Sequence, residues 1–172
     1  MLRKLMVVAA LALLPAAAAQ AQFQAGDWSL SLSGNGSNGP DFNGTTFGVA
    51  GDIGYFLSKE LEVSLRQSVA YNDIGVEGGN LAFGTTIGLD YHFDMGRWQP
   101  YIGGNIGYRY GDVHNTFVAG PEGGVKYFVN STTFVQLNVN YQFFFDNNTD
   151  SAGDAFSDGQ FLYSLGIGFR WH

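Results

Sequence analysis

The chain has 172 residues, with 15 acidic side chains against eight basic ones, a formal charge of −7, and no cysteine. So acidic a chain is not built to hold nucleic acid, and without cysteine there is neither a disulfide framework nor a thiolate metal site. Its 25 glycines and an aromatic content of 16% are both high, and the length fits a single domain held by a continuous hydrogen-bonded framework or a good core.

At the N-terminus, Arg3 and Lys4 precede an apolar run from Leu5 to Ala19, and Ala19-Gln20-Ala21 supplies a small-x-small cleavage site before Gln22. This is the anatomy of a secretory signal, so residues 1–21 are expected to be a signal peptide and residues 22–172 the mature domain. Losing Arg3 and Lys4 leaves six basic residues against 15 acidic ones, a formal charge of −9. The apolar run falls short of the roughly 20 residues that a helical membrane span needs, and no later stretch approaches that length. A retained helical anchor is the alternative reading of this segment.

From there on the sequence alternates. In residues 61–71, Leu61, Val63, Leu65, Val69 and Tyr71 hold the odd positions, broken only by Gln67, while Glu62, Ser64, Arg66 and Ser68 hold the even ones. A period of two is a strand. The same parity predicts strands near 28–34, 45–57, 61–71, 81–93, 99–111, 117–128, 133–145 and 160–171. Connections after the second, fourth and sixth strands are tight. The others are mostly longer and rich in Gly, Asn and Asp, the longest running from Asp146 to Gly159. Short turns on one side and longer loops on the other are the pattern of an all-β, eight-stranded antiparallel up-and-down transmembrane β-barrel, with turns in the periplasm and loops outside the cell.

The apolar parity contains no charge. Asp52, Glu62, Arg66, Asp90, Arg109, Glu122, Lys126 and Arg170 all fall on the opposite, inward set, together with His92. A face in hydrocarbon demands this, because Arg or Lys at the midplane of a membrane barrel costs about 2 to 4 kcal/mol. Four acids against four bases predict an interior charge network built from pairs. Aromatic residues gather near strand ends, where membrane barrels carry their interfacial girdles. Trp28, Tyr55, Tyr91, Phe93, Trp98, Tyr127, Phe169 and Trp171 form the expected periplasmic girdle; Phe47, Tyr71, Phe83, Tyr110, Phe117, Tyr141, Phe143, Phe145 and Phe161 form the outer one. The inward set is otherwise largely Gly, Ser, Thr, Asn and Gln, which makes room for the long arms of Arg66, Arg109, Lys126 and Arg170 inside a barrel whose interior side chains can fill. A soluble lipocalin-like barrel shows the same alternation with the faces exchanged. It would set the Gly-rich face in water, crowd more than a dozen aromatic rings into a narrow cavity and leave the girdle positions without a reason.

Three segments carry a resemblance: Gly54-Tyr55-Phe56-Leu57-Ser58 leading into Leu61-Glu62-Val63; Trp98-Gln99-Pro100-Tyr101-Ile102-Gly103-Gly104-Asn105-Ile106-Gly107-Tyr108; and the closing strand from Phe161 to Trp171. Across residues 22–172 the chain resembles the OmpA-type family of small outer-membrane barrels. The resemblance implies outer-membrane localisation, monomeric barrels in contact with lipid and lipopolysaccharide, and recognition of a terminal aromatic by the barrel-assembly machinery. Here Trp171 is followed by His172, a departure from that terminal signal. The peptidoglycan-binding domain of longer relatives is missing from the sequence, so wall anchoring does not carry over.

Chemistry-bearing residues are few. His92 points inward, where a carboxylate such as Asp90 is expected to satisfy it; His114 lies near Asp112 and Asn115 in the third long connection; His172 is terminal. No His, Ser and acid trio is marked by spacing, no metal-ligand spacing of the His or Cys type is present, and no cofactor is expected. Asp146, Asp150, Asp154 and Asp158 recur at four-residue intervals in the last long connection. Such an oxygen-rich loop can hold Ca²⁺ but lacks the EF-hand order, and reads as a solvated surface facing the divalent ions between lipopolysaccharide phosphates. The expected role is structural or surface-interaction work by a barrel plugged with ion pairs. A narrow pore or small-molecule transport barrel is the first alternative, and an outer-membrane lipid-modifying enzyme the second.

Overall fold

A computed structural model of the protein describes residues 22–38, 45–72, 80–112, 115–145 and 160–172. Eight strands follow in order: β1 (Trp28–Asn38), β2 (Thr45–Phe56), β3 (Leu61–Asn72), β4 (Asn80–His92), β5 (Trp98–Gly111), β6 (Thr116–Phe128), β7 (Thr133–Phe145) and β8 (Gln160–Trp171). Each is antiparallel to its neighbours, and β8 returns to β1 to close a barrel, leaving the sheet no edge. The seam is the shortest ladder. Seven residue pairs, from Trp28↔Trp171 to Gly34↔Leu165, join β1 to β8.

The strand boundaries follow the sequence parity closely, with one extension. β1 continues past Gly34 to Asn38 although its apolar alternation has ended, because the backbone of this Gly-, Asn- and Ser-rich stretch pairs with Thr45–Val49 of β2. Ladder hydrogen bonds need no side-chain pattern. In β6 the ladder to β7 skips Gly120 and Pro121 and resumes in the same register at Glu122↔Asn140. Pro121 has no N–H to give.

The three tight turns are tied by side chains that accept backbone N–H bonds. Ser58 Oγ takes those of Glu60 and Leu61, Asp94 Oδ1 that of Gly96, whose φ is +73°, and Asn130 Oδ1 those of Thr132 and Thr133. In the first of these turns Lys59 meets Glu60 at 3.1 Å in solvent, and that hydrogen bond raises the Lys59 ammonium above the ordinary lysine range.

Around the whole circumference the outward parity exposes large apolar side chains, with Leu32, Ile102, Ile106 and Leu165 each about 60% exposed. No Asp, Glu, Lys or Arg stands among the outward positions of the strands. A band this continuous far exceeds the apolar patches that water-soluble monomers leave bare. Within it, Gln67 accepts a hydrogen bond from Thr85 Oγ1 (2.7 Å) and donates to Tyr110 Oη (3.1 Å), so the break in the apolar parity is paired on the outer surface. Aromatic rings rim both ends: Trp28 against Tyr55 and Trp171, and Trp98 against Tyr127, at the end with the tight turns, and Phe83 against Tyr110 and Tyr141 against Phe161 at the other.

Candidate functional site

The inward parity packs the barrel's interior, and its centre at the tight-turn end is Glu62. Glu62 Oε1 accepts from Ser29 Oγ at 2.6 Å; Oε2 receives Lys126 Nζ at 2.7 Å and His92 Nε2 at 2.9 Å. Glu62 is 1% exposed, and its carboxylate can stand there because the residue diagonal to it on β2 is Gly54, where an added Cβ would come within 2.1 Å of Oε1. Three donors on one buried carboxylate offset its desolvation. His92 therefore meets Glu62 rather than the expected Asp90. Asp90 and His92 stand two residues apart on one strand and project in parallel, whereas Glu62 reaches His92 diagonally from β3.

Lys126 has a second set of partners. Its Nζ lies 5.2 to 5.7 Å from the ring centroids of Phe23, Phe134, Phe56 and Tyr101, so the ammonium sits in an aromatic box with one carboxylate in its wall. Phe23 belongs to the segment before β1. Its ring stacks on Phe56 (centroids 3.9 Å apart, planes at 11°) and presents its edges to Phe128, Phe134 and His92. These four phenylalanines are at most 2% exposed and form the apolar cluster at that end of the interior. The segment is stitched in place: Gly26 N–H donates to Phe56 O, Asp27 Oδ2 accepts from Gln24 N–H and from Arg170 Nη1 (3.0 Å), and Asp27 Oδ1 meets His172 Nδ1 at 3.0 Å. Arg170 also donates to the Gln22 carbonyl.

Further into the barrel, Arg66 bridges two acids, Nε to Asp52 Oδ2 at 3.1 Å and Nη1 to Glu122 Oε2 at 2.9 Å. Asn138 donates to the same Glu122 oxygen and to Tyr101 Oη. Five of the eight charges anticipated from parity thus meet in pairs or bridges: Asp52, Arg66, Glu122, Glu62 and Lys126. The other three do not join them. Arg170 turns to Asp27 at the mouth. Arg109 stands toward the long-connection end, beside Gly84 and Thr116 in register and 5.4 Å from the Phe144 ring, with no acid partner among the described residues. Asp90 faces Glu62 across the ladder, and its buried Oδ1 has no hydrogen-bond partner among the described residues. Balanced numbers do not make balanced pairs, because the register sets each charge at its own height in the barrel.

Sequence parity did not reveal the aromatic mouth. Phe56, Phe128 and Phe134 fall on the inward set at strand ends and contradict a small, polar interior; that contradiction was the available signal, whereas Phe23 precedes any periodic segment. His114 and the Asp146, Asp150, Asp154 and Asp158 series lie outside the described residues. Among the described residues no three His, Asp or Glu side chains converge as metal ligands.

No family model matches the chain, and no curated protein matches it in sequence. Solved structures match the fold. The outer-membrane protein OprG from Pseudomonas aeruginosa aligns over 88% of this chain and 99% of its own, with a TM-score of 0.57 at 13% identity. Neisserial surface protein A aligns over 84% and 94% (TM-score 0.55, 15% identity), and Ail, the attachment invasion locus protein of Yersinia pestis, over 87% and 100% (TM-score 0.50, 12% identity). The fold is that of the small eight-stranded outer-membrane barrels.

Proposed function

We propose that this protein is a monomeric outer-membrane barrel whose work is structural or at the cell surface, with its interior sealed rather than open. The apolar outer band with no outward charge supports immersion in hydrocarbon, and an aromatic rim at each end supports two interfaces. Lipid and lipopolysaccharide are then its surroundings. Kinship with the OmpA-type barrels rests on the three segments named above, and assembly through a closing aromatic strand rests on Phe169 and Trp171. Residues 1–21 act as a signal peptide in this reading; Phe23, already built into the barrel two positions after the cleavage site, supports that boundary.

One observation carries the choice of a sealed interior over a pore: Phe23, Phe56, Phe128 and Phe134 interlock at the tight-turn end, with Lys126 and Glu62 directly above them. Eight strands leave an interior that side chains can fill, and here aromatic rings and a neutralised ammonium fill it. An enzymatic role finds no support in the buried histidine, whose Nε2 is committed to Glu62. Purified protein in planar bilayers is expected to be electrically silent. Reproducible single-channel steps would replace this reading with that of a narrow pore.

A further inference from the structure

Above the Glu62–Lys126 pair the interior holds a group of polar atoms that nothing among the described residues satisfies. Ser64 Oγ, Asp90 Oδ1, Glu122 Oε1 and both amide atoms of Asn105 are buried without a hydrogen-bond partner, in side chains at most 7% exposed. Two of them, Ser64 Oγ and Glu122 Oε1, flank one place over Gly88, and Asp90 borders it through its other oxygen, Oδ2. Ser64, Gly88 and Asn105 are successive partners across β3, β4 and β5 at one level of the barrel. A Cβ built on Gly88 would lie 2.8 Å from Ser64 Oγ, 3.0 Å from Glu122 Oε1 and 3.8 Å from Asp90 Oδ2. Glycine keeps that space free of side chain, and buried polar atoms with no partner call for one.

Charge narrows the choice of occupant. Among the described residues, Asp52, Glu62, Asp90 and Glu122 share this part of the interior with two permanent cations, Arg66 and Lys126. His92 directs Nε2 to Glu62 while its Nδ1 meets no acceptor, the hydrogen-bond pattern of a neutral ring. With all four carboxylates ionised, the deficit is two positive charges. Arg66 already takes Glu122 Oε2, so Oε1 is the oxygen that remains available. From this we propose that the space over Gly88 is a binding site for one divalent cation of the calcium class, held by Asp90, Glu122, Ser64 and Asn105. Two carboxylates, a hydroxyl and an amide carbonyl are hard oxygen donors in an irregular array, which suits the flexible coordination of Ca²⁺ better than the strict octahedron of Mg²⁺. Such an ion would neutralise the deficit and satisfy the orphaned oxygens together.

The test uses the full mature chain, refolded into detergent micelles after chelator treatment and titrated with CaCl₂ by equilibrium dialysis. One Ca²⁺ per barrel is expected, with affinity reduced about tenfold or more in Asp90→Asn and in Ser64→Ala. The Ser64→Ala change leaves every ion pair in place, so it decides the matter if Asp90→Asn fails to fold by heat-modifiable migration. A chain with Asp146, Asp150, Asp154 and Asp158 all changed to Asn is expected to bind as the parent does. No binding at millimolar Ca²⁺, or binding lost in that loop variant and kept in Ser64→Ala, would overturn the proposal.

Discussion

Phe23 stacks on Phe56 with ring centroids 3.9 Å apart, joining a segment that precedes the first strand to the end of the second. The stack makes the N-terminal segment a working part of the barrel. Phe23→Ala removes a ring buried against Phe56, Phe128, Phe134 and His92 and bares one face of the Lys126 box. A loss of about 3 to 5 kcal/mol is expected from the cavity alone, measured by urea unfolding in bilayers. A loss below about 1 kcal/mol would mean that the segment only rests on the mouth.

The Glu62–Lys126 pair at 2.7 Å lies out of water, so breaking it from one side should cost more than removing it altogether. Glu62→Gln leaves an ammonium buried without its carboxylate and should destabilise by about 3 to 5 kcal/mol. Adding Lys126→Met should recover part of that loss. A double-mutant cycle reads the coupling, and strictly additive effects would show the pair to be energetically independent.

Two arginines of the inward set should behave differently. Arg66→Ala strands both Asp52 and Glu122 and is expected to cost about 3 to 5 kcal/mol. Arg109→Ala forfeits its contact with the Phe144 ring, about 0.5 to 2 kcal/mol. Equal losses for the two would contradict the partition of the interior into a bridged core and a separate outer arginine.

On the outer face, Leu65 projects from the middle of β3, about half exposed. Leu65→Arg should cost about 2 to 4 kcal/mol on folding into bilayers. An unchanged folding free energy would mean that this side of the sheet does not meet hydrocarbon.

The barrel itself was readable because each strand is half in one medium and half in another, and a period of two records that division directly. Strand number, hairpin order, the charge-free face and the aromatic rims all follow from it. Partnerships inside the barrel do not, since they depend on strand register and on heights along the axis: Glu62 and Asp90 are equally acidic in the sequence, yet one receives three donors and the other no Lys or Arg among the described residues. Gln67 marks the same limit outside, where a polar residue on the apolar parity becomes intelligible only beside Thr85 and Tyr110. The aromatic mouth needed Phe23, which lies beyond the reach of any periodicity.

The short β1–β8 seam has a consequence for how the molecule comes into being. Its partners Trp28 and Trp171 stand near opposite ends of the described residues, so this junction gathers the greatest contour length for the fewest ladder bonds. Until it zips, two rows of amide groups face oil with nothing to bind, a state that lipid penalises heavily. Half-built intermediates are thereby made scarce: closure of the cylinder is expected as a late, concerted event, and the same junction is where a completed molecule would first part under lateral stress.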